Sequence, residues 1–140
     1  RNSGVMLNAL DGAATLEDGI LELFAVWVDH THFDPKRDHA IHDWTRRDQT
    51  LRSAVQSEDD SRVAAIAAFF ERQRFEPTEA FIRARVIYFT QLSYYALDVD
   101  EPPQQRFGYL NAYFRTFTGR DISVAAAEAF RQRMLQGRAA

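Results

Sequence analysis

The chain has 140 residues, 46% hydrophobic and 26% charged, the balance of one folded globular domain rather than of a disordered segment. A net charge of −3 offers no basic excess for gripping a phosphate backbone, and the absence of cysteine excludes disulfides, thiolate metal sites and cysteine nucleophiles. No apolar run approaches the ~20 residues that span a bilayer and no secretory leader opens the chain, so a cytoplasmic protein without membrane contact is expected.

Residues 1–14 carry no clear period and are expected to be a loose N-terminal segment. Because the sequence opens on Arg1 rather than methionine, they read as the remnant of a linker from an upstream part. From there, 15–137 is expected to form a single all-α domain of about six helices. Leu16, Ile20, Leu23, Phe24, Trp27 and Val28 follow steps of three and four, the apolar stripe of a helix, with Thr15 and Asp18 placed as a capping-box variant. The stripe should stop before Pro35, which disfavours helical torsions in the preceding residue. A short helix is expected over 35–47, and a long one over 50–75 with Val63, Ile66, Ala67 and Phe70 on one face. The segment Glu76-Pro77-Thr78-Glu79 marks a stop and restart. Further helices are expected over 78–97, over 103–118 behind the Pro102-Pro103 pair, and over 123–136, with Gly119 as a C-terminal stop. Strand signals are nearly absent: there is no sustained alternation and no hairpin turn dipeptide.

The helices at 78–97 and 103–118 have more apolar surface than one buried face requires. On the first, Phe81, Ala84, Tyr88, Leu92 and Tyr95 share one side, while Ile82, Val86, Phe89, Ser93 and Ala96 share another. On the second, Phe107, Leu110, Phe114 and Phe117 make a stripe. Soluble monomers rarely leave such faces in water, so a homodimer closed by a two-fold, four-helix contact is expected through Ile82, Val86, Phe89, Ser93, Phe107, Leu110, Phe114 and Phe117. A centrally buried helix is the simpler alternative.

Little in the chain resembles a catalytic constellation. His30, His32, His39 and His42 lie among aspartates and could hold a divalent metal, but only His39 and His42 have the spacing to share a helical face. Solvated helix ends explain them as well, and no metal or other cofactor is expected. The serines lack a nucleophile-elbow context, and no glycine-rich phosphate loop occurs. Aromatic residues are the informative class, with 11 Phe, 5 Tyr and 2 Trp. A pocket for a small apolar or aromatic ligand is expected from Phe24, Trp27, His30, Trp44, Phe69, Phe70, Tyr88 and Tyr95, against the simpler reading of each as core. Arg85, placed on the core-facing side with Phe81 and Tyr88, is expected to pair with a carboxylate, Asp60 first and then Asp59 or Asp48.

The order of short motifs adds a resemblance. Phe33-Asp34-Pro35, then Ala40-Ile41-His42-Asp43-Trp44 and Arg47-Asp48, then Arg83-Ala84-Arg85-Val86-Ile87-Tyr88, together resemble the C-terminal half of TetR-family transcriptional regulators. The resemblance implies an effector-binding, dimerising domain, with 78–97 and 103–118 as the dimer helices. It further implies a repressor whose operator contact is made by an N-terminal helix-turn-helix head and released by a small molecule. Nothing in these 140 residues resembles that head, so the chain by itself is not expected to bind DNA. Two other readings compete: a standalone helical binding or scaffold protein, and a metal-dependent helical enzyme using the four histidines.

Overall fold

The computed structural model describes residues 2–28, Lys36, Ala40, Ile41, Asp43, Trp44 and 48–139. Among them the chain is helical and has no strand, as the missing alternation predicts. The helices given bounds among the described residues are α1 (Asn2–Asp11), α2 (Leu16–Val28), α3 (Gln49–Arg72), α4 (Pro77–Ala96), α5 (Pro103–Gly108), α6 (Leu110–Thr118) and α7 (Val124–Ala139). They fall into two compact units, Arg1–Asp98 and Val99–Ala140. Most of the expected helix over 35–47 lies outside the described residues.

In the first unit α1 contacts α2 and α3, and α3 runs along α4. The presence of α1 corrects the expectation of a loose segment over 1–14: Met6 and Leu10 are 2% and 1% exposed. Two core residues four apart suffice to seat a helix of three turns, and no cap residue announces it in the sequence. The start of α2 is as expected, since Thr15 Oγ1 accepts from the Asp18 amide at 3.1 Å. Its stripe of Leu16, Ile20, Leu23 and Trp27 is buried.

Gly19 lets the Phe69 ring of α3 lie against the backbone of α2. A Cβ there would stand 2.1 Å from Cζ of Phe69, whose own ring is fully buried with its edge toward Phe70. A glycine inside a helix costs about 1 kcal/mol relative to alanine, and here the close approach of an aromatic ring requires it.

Helix α3 begins on Asp48, whose carboxylate accepts from the amides of Thr50 and Leu51 at 3.0 and 3.1 Å. It ends in a Schellman turn: the Arg74 amide donates to Glu71 O at 2.9 Å and the Phe75 amide to Phe70 O at 3.1 Å. Arg74 takes the left-handed position with φ 71°, and the rings of Phe75 and Phe70 meet edge-on at 5.0 Å. The next helix starts at Pro77. Glu76 caps it by accepting from the Glu79 amide at 3.0 Å, and these backbone bonds hold its carboxyl below the usual carboxylate range.

In the second unit the expected single helix over 103–118 divides at Tyr109 into α5 and α6. The amide of Tyr109 reaches only as far back as Arg106 O, at 3.0 Å, a tightened turn beside Gly108. Gly119, at φ 72°, ends α6 as expected. The start of α7 is capped by Ser123, whose hydroxyl accepts from the Ala126 amide at 3.2 Å. Arg131 of α7 donates to Phe107 O at 3.4 Å and to Asn111 Oδ1 at 3.0 Å, and the Phe107 and Phe130 rings meet edge-on.

Candidate functional site

Helix α4 is two-faced. Ala80, Ala84, Ile87 and Tyr88 are at most 1% exposed and form its buried side. On the opposite side Ile82, Val86 and Phe89 are 51%, 43% and 52% exposed, at steps of four and three that make one continuous stripe. Ser93, one turn further on, is half-buried and donates to Thr90 O at 2.7 Å. The second apolar face expected from the sequence is therefore open to solvent in the single chain.

The other half of the expected dimer surface is placed differently. Leu110, Phe114 and Phe117 are 5%, 0% and 5% exposed, and Phe107 is half-buried. Their stripe serves the chain's own packing, because a period of three and four marks a buried face without saying which chain buries it.

Arg85 is a correction. It is exposed, its guanidinium 4.3 Å from the centre of the Phe81 ring and 5.9 Å from that of Phe89, and it forms no ion pair with the exposed Asp60. It sits just past the buried edge of α4, where a long cation can lie over aromatic faces and keep its charge in water. The guanidinium that is buried belongs to Arg62 of α3, 5% exposed and the one charged side chain in the core among the described residues.

Arg62 ties three helices together. Its Nε donates to Ser3 Oγ of α1 at 2.8 Å, its Nη1 to Tyr88 Oη of α4 at 3.1 Å, and its Nη2 to Glu58 Oε1 one turn earlier on α3 at 3.2 Å. Ser3 in turn donates to Glu58 at 2.6 Å, and Tyr88 to Asp59 at 2.5 Å. The Glu58 carboxylate, paired with Arg62 at 3.2 Å, is what makes the buried cation tolerable. The sequence signal for this cluster is Arg62 standing in line with Val55, Ile66 and Phe69, a cation within an apolar stripe, with Glu58 four residues before it.

The Ser3 hydroxyl is the largest influence on the Glu58 carboxyl and, with the charge and hydrogen bond of Arg62, holds it below its ordinary value of 4.5 against the opposing effect of burial. A depressed carboxyl contributes stability above its unfolded value and loses it as pH falls through the folded one. Glu58→Gln is therefore expected to be less stable than the parent near neutrality. Urea unfolding at about pH 7 and at about pH 3 should show that difference shrinking in acid. A difference that is unchanged or larger in acid contradicts the assignment.

The expected pocket residues separate. Phe69, Phe70 and Tyr88 are buried, Phe24 is half-buried, and Trp44 is 63% exposed. His30 and the side chain of Tyr95 lie outside the described residues, as do His32, His39 and His42. No group of three metal-ligating side chains occurs among those that are described. Trp27 is 6% exposed, and its indole N–H is buried without an acceptor among the described residues. A cavity of about 30 Å³ between α1 and α3, reaching from Met6 and Leu10 to Arg62, has room for ordered water but not for an aromatic molecule.

The class that fold and site define, among the described residues, is an all-helical protein with a buried cation, Arg62, and an exposed apolar stripe on α4. No known protein family, no curated protein and no solved structure matches the chain. No described helix is long and apolar enough to cross a membrane.

Proposed function

We propose that the chain is the effector-sensing, dimerising domain of a TetR-like transcriptional regulator, acting as a repressor in the cytoplasm. The observation that carries this reading is the exposed stripe of Ile82, Val86 and Phe89 on α4. It lies on the helix for which the motif order predicts self-association, and a second copy related by a two-fold axis would cover it with the same residues. Because Leu110, Phe114 and Phe117 are already buried, the proposed contact is centred on α4.

Trp27 supports the sensing half. A buried indole donor without an acceptor is destabilising by about 1–3 kcal/mol, and an apolar or aromatic effector carrying an oxygen acceptor would relieve it. Operator contact in this reading belongs to a helix-turn-helix head, since a charge of −3 gives these residues little attraction to phosphate. The effector acts by binding one setting of the domain better than another.

The cysteine-free sequence allows a clean test of the contact. Single cysteines introduced at Ile82, Val86 or Phe89 should be joined between copies by a short bismaleimide, and one placed on exposed Glu71 of α3 should not. Failure at all three α4 positions would remove the reading. For the sensing half, a Trp44→Phe variant leaves Trp27 as the sole indole. Its emission should shift when an aromatic acceptor such as a substituted benzoate binds, and an emission indifferent to a broad panel of such compounds would contradict the pocket.

A further inference from the structure

We propose that Arg62 is a latch through which the first turn of α1 follows the setting of α4, so that the N-terminal end of the chain and the exposed face of α4 change together. The latch is built within one chain; its regulatory meaning rests on that face being the dimer contact.

Three features place it there. Arg62 holds hydrogen bonds to α1 and α4 at once, through Nε to Ser3 and Nη1 to Tyr88. A guanidinium is a rigid planar fork, so a change in where Tyr88 Oη stands redirects the Nε–H aimed at Ser3. Tyr88 is also the immediate neighbour of Phe89, their ring centroids 6.3 Å apart, with one ring buried and the other on the exposed stripe. Any turn of α4 that re-seats Phe89 therefore moves the hydroxyl that aims Arg62.

The hold on α1 is slight enough to be switched. Its buried anchors are Met6 and Leu10, and ahead of them Ser3 is bonded to Arg62 and Glu58. Loss of the Arg62–Tyr88 bond takes a partner from a buried charged group, which favours a turn of the guanidinium toward solvent or toward Glu58. Either movement takes Nε away from Ser3.

Hydrogen exchange on the full chain tests this with Tyr88→Phe, which removes one oxygen and changes no residue of α1. Amides 6–11 of α1 should exchange about tenfold faster relative to those of α2, the size expected for losing one bond to a charged donor. Arg62→Lys, which keeps the charge but not the fork, should do the same. An unchanged α1-to-α2 ratio in both variants overturns the latch. Phe89→Glu tests the link to the face: α1 should again lose protection relative to α2, and unchanged protection overturns the coupling. Should Phe89→Glu and the parent have the same monomeric mass, the dimer reading fails separately, and the Tyr88→Phe result still decides the latch.

Discussion

Replacing Phe89 by glutamate is expected to leave the chain folded and to abolish its pairing. Phe89 is 52% exposed in the single chain, so the carboxylate is solvated in a monomer and its folding cost is small. Across a two-fold axis the same carboxylate would face Ile82, Val86 and its own copy, desolvated and without a cation. Stranding an unpaired charge in such a contact costs several kcal/mol, so dissociation should strengthen by roughly a hundredfold or more. Phe114→Glu is the contrasting control. Phe114 is fully buried, and a charge there should unfold the chain, with loss of helical circular dichroism. An unchanged mass for Phe89→Glu, or a folded monomer from Phe114→Glu, would reverse the assignment of interface and core.

The second large effect is expected at Gly19. Valine there forces a branched side chain into space held by the Phe69 ring, which begins 2.1 Å from an added Cβ. Phe69 cannot swing aside cheaply, because it is fully buried against Phe70. Overpacking of this kind should cost about 3 kcal/mol, a large share of a small domain's stability. Phe69→Ala alone leaves a cavity and should also cost about 3–5 kcal/mol. Combined, the two should cost clearly less than their sum, since valine fills part of the space the ring vacates. Additive losses in urea unfolding would show that the ring and the glycine do not share that space.

What could be read in advance follows from how many residues report each feature. The helices over 16–28, 49–72 and 77–96 are long enough for several apolar steps, and Thr15 and Gly119 mark a start and a stop by chemistry specific to helix ends. Helix α1 was illegible because only Met6 and Leu10 report its buried side. The break at Tyr109 was illegible because one tightened turn leaves the apolar steps on either side intact. The two arginines show the limit most plainly. Arg85 and Arg62 both stand near apolar stripes, and only the rotation at which each helix meets its neighbours puts Arg85 in water and Arg62 in the core. The opposed faces of α4 were visible from spacing. That Leu110, Phe114 and Phe117 are buried within the chain while Ile82, Val86 and Phe89 are not depends on tertiary contacts that no period encodes.

The central claim is that the open stripe on α4 belongs against a second copy. Light scattering of the wild-type chain across the micromolar range tests it most directly. The expected mass is twice the 16.1 kDa of one chain, falling toward a single chain only on dilution. A mass of one chain at every concentration would contradict the claim.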